Sequence, residues 1–283
     1  MTFEGIHPTA IVDAKARLGR DVRIGPFSIV GPEVALGDGV EIGHHVTLES
    51  RMEIGPRARI GHGAVLGGRP QDLKYRDGTP SGVRIGAETV IREYVTIHRA
   101  SQPESWTEIG PQCLIMALSH VAHDSRLGKG VIVINYAGIT GYCTIGDHVT
   151  IGGSSGLAPF TRVGAYAYIG GLAKVNADVP PYMLVEGSPA NVRSVNVIGM
   201  RRAGIPASDR RAVQDAHRLL YRSGLSPGRA LERLRELPPN PLVENLIQFV
   251  ASAKRGICGP PGGWGPSGRT GEESPESEPE GVV

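Results

Sequence analysis

The sequence is poor in rings, in thiols and in long apolar runs. Only 14 of its 283 residues are Phe, Trp or Tyr although 40% are hydrophobic, so the core must be built from aliphatic and small side chains. Three cysteines, Cys113, Cys143 and Cys258, are too few for a disulfide framework, which fits a reducing compartment. No run of 18 apolar residues occurs, which excludes a membrane-spanning helix. The opening MTFEGIHPTAIV lacks a basic segment followed by an apolar one, so no secretory signal is read and a cytoplasmic location is expected. Charge of either sign is not in excess: the net +2 makes no electrostatic case for a nucleic-acid partner. What abounds instead is Gly, with 40 residues, and Pro, with 22, and together they exclude an all-helical bundle. The length suits one or two domains.

What is present is a repeat. Ile6, Val12, Leu18, Ile24, Val30, Leu36, Ile42, Leu48, Ile54, Ile60 and Leu66 are aliphatic at an unbroken period of six. The series resumes at Ile85, Ile91 and Ile97, then runs from Ile109 through Ile115, Val121 and onward to Val175. Four residues after most of these stands a small or β-branched residue, such as Ala10, Ser28, Cys113, Ala137 or Val149, and Gly commonly follows the aliphatic residue directly. A helix needs period 3.6 and a half-buried strand period two, so neither explains six. Hexapeptide periodicity is the signature of a parallel β-helix, in which each hexad supplies one short strand and one turn. Three hexads close a triangular coil, and about nine coils at the inter-strand spacing make a prism roughly 40 Å long. On this reading Cys113 and Cys143 are small core residues rather than nucleophiles.

Two stretches break the series, residues 67–84 and 98–108, and each must loop out of the prism. Long loops on rigid scaffolds carry function or disorder. The prolines of DVPPYMLVEGSPA end the repeat, so the β-helix is assigned to residues 1–190 and a helical domain to 191–258. Within that domain the pattern predicts helices from Ser208 to Leu220, from Ser226-Pro227 to Leu237 and from Pro241 to Lys254. The Pro-, Gly- and Glu-rich residues 259–283 read as a disordered acidic tail.

Residues 18 apart stack in columns along such a prism. His120 then lies under Gly138, His123 under Gly141, and Asp124 under Tyr142, which lies under Phe160. His123 and Asp124 take turn positions of their hexad and point outward at a corner. A backbone N–H at Gly141 would sit about 5 Å from the imidazole, and a base beside an anion-stabilising amide is what acyl transfer needs. His98, which opens the second loop, is a candidate to face the same cleft. Three histidines on one prism also admit a zinc reading, although spacing supplies no third ligand and Asp124 serves better as an orienter of His123.

At HPTAIVD, QDLKY, VTIHR, HVAHD, DVPPY and YRSGLS the sequence resembles the bacterial acyl-[acyl-carrier-protein]–UDP-N-acetylglucosamine O-acyltransferases, which catalyse the first step of lipid A biosynthesis. The resemblance spans residues 1 to about 256 and implies a left-handed parallel β-helix followed by a C-terminal α-helical domain, assembled as a homotrimer with sites between neighbouring subunits. It implies transfer of a 3-hydroxyacyl chain from acyl carrier protein to the sugar 3-position, with no cofactor and no metal. His123 matches the family's general base, Asp124 its orienting carboxylate and Gly141 the oxyanion-binding amide. Gln71, Asp72 and Lys74 match the loop that binds the sugar nucleotide; His98 and His120 match further site histidines. Asn196 and Arg202 match nucleotide-contacting positions, and Gly171 matches the Gly that leaves room for an acyl tail.

The sequence also departs from the family. Tyr142 stands where many members have His, Pro159-Phe160 where they tend to have His-Gln, and Leu118 where they have Asn. These departures leave open an N-acyltransferase acting on a 3-amino sugar nucleotide. A zinc-dependent protein of the γ-carbonic anhydrase type is the more distant alternative.

Overall fold

The computed structural model describes residues 4–260, and the greater part of the tail expected to be disordered lies outside the described residues. Among the described residues short strands, most of two residues, stack into three sheets of nine, eight and ten strands, parallel throughout except for the last strand of the third. We call these the first, second and third faces, beginning at Ile11–Val12, Arg17–Leu18 and Arg23–Ile24. Each turn of chain visits the faces in that order, and the register repeats at 18 residues: Val121 pairs with Ile139, and Ile139 with Leu157. The result is a left-handed parallel β-helix followed by a C-terminal helical region.

The hexad aliphatics and their i+4 partners fill the prism. Ile97, Ile115, Ile139, Ile151 and Ile169 are fully buried, as are Cys143, Val149 and Ala167. Every strand is only two residues wide at most levels, so one inward aliphatic per strand carries the packing of its face. Replacing Ile139 by Ala is therefore expected to destabilise the chain by about 2–5 kcal/mol, read as a lower urea midpoint with an unchanged slope.

The turns follow a rule that the composition does not announce. Where Gly follows the aliphatic residue it is there for closeness: a Cβ on Gly146 would lie 2.6 Å from the backbone N of Ala165 in the next coil. The left-handed backbone falls two residues later, and mostly on residues that are not Gly. From Gln112 through Leu118, Asp124, Tyr136, Tyr142, His148, Ser154, Phe160 and Tyr166 to Leu172, every sixth residue has φ near +60°, with Gly130 completing the series. Such φ values are uncommon outside Gly; here the ladder bonds of the coils before and after hold them.

The two interruptions leave the aliphatic pairs in register, Leu66 with Ile97 and Ile85 with Ile109, and a bulge between Leu66 and Gly68 marks the start of the first. Strands Val65–Gly68 and Gly82–Ile85 bracket the first loop, and Thr96–His98 and Trp106–Ile109 the second, so the strands reach further into both stretches than the hexad series indicates. In both cases the chain leaves the first face and re-enters on the second. Both loops thus emerge from one corner of the prism.

The repeat ends in strand Met183–Glu186, and Asn191–Val195 returns antiparallel along it. Among the described residues four helices follow: α1 (Val197–Arg202), α2 (Ala207–Arg222), α3 (Pro227–Arg235) and α4 (Pro241–Ala251). α1 is too short for a periodicity to reveal; the Asn196 side chain caps it by accepting from the Gly199 N–H. α2 starts behind Pro206, which leaves Ser208 inside the first turn rather than at the cap. α3 begins at Pro227 as the Ser-Pro pair predicts. α4 is capped by Asn240, which accepts from the N–H groups of Leu242 and Val243, and it ends before Lys254. Val213, Leu220, Leu234, Leu246 and Val250 bury the shared interior of α2–α4. Arg162 fastens this unit to the prism: its guanidinium donates to the Ser252 carbonyl at 2.9 Å and lies 4.4 Å from the centre of the Phe249 ring.

Candidate active site

His123 and Asp124 occupy the turn between strand His120–Val121 on the first face and Arg126–Leu127 on the second. They therefore stand at the corner from which both loops emerge. His123 is 8% exposed, and its Nδ1 lies 2.8 Å from Asp124 Oδ2. A carboxylate can only accept, so Nδ1 carries the proton and Nε2 is left with its lone pair. The left-handed φ of +59° at Asp124 is what turns its carboxylate back toward its neighbour's ring.

Asp124 is held in turn by the second loop. Its Oδ2 accepts from the Ser101 N–H at 2.9 Å and from Ser101 Oγ at 2.8 Å, and its own N–H donates to Thr107 Oγ1. Ser105 Oγ lies 2.5 Å from the Gln102 carbonyl and 3.2 Å from Asp124 Oδ1, so its single proton belongs to the carbonyl. Burial by itself would raise the Asp124 carboxyl, but the hydrogen bonds from His123 and Ser101 outweigh it and hold the group below its ordinary value.

One coil further on, Gly141 lies against the imidazole. A Cβ built there would come within 2.7 Å of His123 Cε1 and 2.8 Å of Nε2. Among the described residues the Gly141 N–H donates to no protein acceptor. The imidazole thus lies against a residue whose amide donates to no described acceptor, the arrangement that the 18-residue column implies. Above Gly141 the same corner carries Tyr142, stacked on Phe160 with ring centroids 4.7 Å apart and planes within 6°.

The other two histidines lie beside this pair. His120 Nδ1 is 2.7 Å from Thr96 Oγ1, and its ring meets that of His98 at 4.6 Å, edge to face. His98 Nδ1 is buried without a partner. Burial, aided by the neighbouring His120 and His123, holds the His98 imidazole down at about 4, so it is neutral at physiological pH. Among the described residues no group of three or more His, Cys, Asp or Glu side chains is placed to hold a metal ion.

The remaining predicted residues are not gathered around this pair by a single chain. Gln71 and Lys74 are exposed in the first loop, with Asp72 half-buried and accepting from the Lys74 N–H at 2.8 Å. That loop is anchored by buried Tyr75, whose ring is flanked by Arg69 and Arg99. Gly171 lies exposed on the corner between the third and first faces. Asn196 donates from Nδ2 to the Tyr166 carbonyl at the corner between the second and third faces, while its Oδ1 caps α1. Both halves of its amide are thus engaged within the chain. Arg202 is exposed in the last turn of α1. Sequence reasoning missed Ser101, Thr107 and Thr96, which bond to Asp124 and His120. The signal available for Ser101 is its place in a loop that interrupts the repeat just before the HVAHD motif.

A hexapeptide β-helix that carries a carboxylate-oriented histidine over a free backbone amide defines an acyltransferase of the hexapeptide-repeat class. Residues 178–258 match the family described as Udp N-acetylglucosamine O-acyltransferase, Domain 2, and residues 15–50 match the bacterial transferase hexapeptide repeats. The acyl-[acyl-carrier-protein]–UDP-N-acetylglucosamine O-acyltransferase of Alkalilimnicola ehrlichii is 50% identical over 255 residues, 89% of this chain and 98% of that one. Its counterpart in Paraburkholderia phymatum is 45% identical over 258 residues, with the same coverage. Among solved structures, LpxA from Acinetobacter baumannii superposes with a TM-score of 0.85 at 36% identity, covering 89% of this chain and 99% of that one. The Francisella novicida UDP-N-acetylglucosamine acyltransferase gives 0.87 at 32% identity, covering 90% and 94%. This chain belongs to the acyl-[acyl-carrier-protein]–UDP-N-acetylglucosamine O-acyltransferase family.

Proposed function

We propose that this protein transfers a 3-hydroxyacyl chain from acyl carrier protein to the 3-hydroxyl of UDP-N-acetylglucosamine, the first step of lipid A biosynthesis, with His123 as general base. The observation that carries the proposal is the His123 imidazole, oriented by Asp124, lying against Gly141, whose N–H has no acceptor among the described residues, at the corner from which both loops emerge. His123 takes the proton of the sugar hydroxyl as its oxygen attacks the thioester carbonyl. The Gly141 N–H receives the developing oxyanion. Collapse of the tetrahedral intermediate expels the carrier thiolate, which takes the proton back from the imidazolium. The ester product and the carrier thiol leave, and the enzyme returns to its starting state without a bound cofactor or metal.

Gln71, Asp72 and Lys74 stand at the same corner as the base and serve as the sugar-nucleotide loop in this scheme. Among the described residues Lys74 has no ion-pair partner, which suits a point charge reserved for a diphosphate. Lys74→Ala is expected to raise KM for the sugar nucleotide about tenfold or more, the size of a lost charge-assisted hydrogen bond, with kcat close to that of the parent protein. Gly171 and Asn196 lie at the other two corners and Arg202 on α1, so a site that uses them together with His123 has to be completed by a neighbouring copy. A homotrimer with sites between subunits is the assembly we propose for this reason. Residues 200–258 hold 11 Lys and Arg against five Asp and Glu, which favours docking of an acidic carrier protein. No helix among the described residues is long and apolar enough to cross a membrane, and we propose that the enzyme works in the cytoplasm.

The test is an acyl-transfer assay with 3-hydroxyacyl carrier protein and either UDP-N-acetylglucosamine or its 3-amino analogue, with the product read by mass spectrometry. An ester on the first acceptor supports the proposal. An amide formed on the analogue alone moves the assignment to N-acylation, and transfer to neither acceptor rejects it.

A further inference from the structure

The groups that hold Asp124 form a chain whose direction can be worked out. Ser101 Oγ, 2.8 Å from Asp124 Oδ2, is also 2.9 Å from Tyr142 Oη, and Gln102 Nε2 lies 3.1 Å from the same phenol oxygen. An ionised carboxylate has no proton to give, and a serine hydroxyl has one. The Ser101 proton therefore goes to Asp124, so toward Tyr142 the Ser101 oxygen is an acceptor. The phenol proton then points at Ser101, which leaves the phenol oxygen free to accept from the Gln102 amide. Each link has one orientation that satisfies every group.

The phenol that closes this chain is itself held on both sides. Its ring stacks on Phe160 and meets the His123 imidazole edge to face, with centroids 5.3 Å apart. Tyr142 belongs to the coil after Asp124, whereas Ser101 and Gln102 belong to a loop outside the repeat. The ladder that fixes every other turn does not reach that loop's Ser101 hydroxyl, and Tyr142 does.

We propose that Gln102, Tyr142 and Ser101 form a hydrogen-bonded positioning chain that fixes the Asp124 carboxylate, and through it the Nδ1–H tautomer of His123. The chain rests on the acyl-transfer reading only for its effect on rate; its effect on Asp124 is independent of activity. His98 and His120 are the other titratable groups beside the dyad, and neither bonds to Asp124. Tyr142→Phe keeps the stack and removes the O–H, while Ser101→Ala removes the donor to the carboxylate.

Two measurements on the full-length protein test this. Steady-state transfer should show kcat falling about tenfold in Ser101→Ala and by a smaller factor in Tyr142→Phe, with KM for both substrates unchanged and activity restored in Ser101→Thr. Titration of the Asp124 carboxyl by 13C NMR, assigned with Asp124→Asn, should move up in Ser101→Ala and less far in Tyr142→Phe, because hydrogen bonds to the ionised form keep it low. An unmoved Asp124 titration in both variants overturns the chain, whether or not kcat falls, since a fall alone would be a packing effect. If the parent protein transfers no acyl group while the Asp124 titration moves as expected, the acyl-transfer reading fails and the positioning chain stands. If the parent is active and neither variant alters kcat or the titration, the chain fails and the acyl-transfer reading stands.

Discussion

Replacing His123 by Ala is expected to lower kcat by about 10²–10⁴-fold, the range for loss of a positioned general base, with KM for both substrates little changed. The nearest atoms to a Cβ built at Gly141 are those of the His123 imidazole, and Asp124 prepares the ring by holding its other nitrogen. The loss should fall on kcat because the base contributes when the proton is in flight, not when the sugar nucleotide binds. Folding should survive. His123 lies in a turn, outside the inward aliphatic series, and Asp124 keeps both of its bonds from Ser101 in the variant. An unchanged thermal transition with a collapsed rate is the expected pair of results. A His123→Ala protein with parental kcat would remove the base assignment altogether.

Gly141→Ala should be nearly as damaging, for a purely steric reason. The backbone at Gly141 is not in the left-handed region, so Ala fits there conformationally. Its methyl, however, would lie 2.7 Å from His123 Cε1 and 2.8 Å from Nε2. The ring must move, and displacement of a reacting group by about 1 Å costs on the order of 10²-fold in rate. The N–H remains, so the variant tests the placement of the imidazole rather than the presence of the oxyanion donor. Gly228→Ala in α3 is the control: its Cβ meets nothing within 4 Å, and the parental rate is expected. A fully active Gly141→Ala enzyme would show that His123 does not work from this position.

Much of the fold and the heart of the site are legible in the sequence, because the hexad leaves so little freedom. A period of six allows one inward residue per strand, so the core and the 18-residue columns follow from the spacing of Ile and Val alone, and with them the juxtaposition of His123 and Gly141. What is not legible depends on contacts that no period encodes. Ser101 reaches Asp124 because a loop folds back onto its own corner. α1 escapes notice because six residues carry too little periodicity, and Pro206 rather than Ser208 precedes α2 because the chain is still extended at that point. An abundance of glycine suggests turn geometry, yet the commonest service of these glycines is to let successive coils approach, while bulky residues such as Tyr142 and Phe160 bear the left-handed angles.

Those left-handed corners have a consequence for how this enzyme could diversify. Leu118, Tyr142 and Phe160, three positions at which the family resemblance leads one to expect other residues, all have φ near +60°, as does Asp124. Side chains there lie outside the inward aliphatic series: Tyr142 stacks on Phe160 one coil on, meets the His123 ring and bonds to Ser101 and Gln102. Selection can therefore rewrite the corner, exchanging a polar residue for an aromatic one, without renegotiating the fold each time. The contacts around Asp124 and the packing of the prism thus rest on different residues of the same hexad.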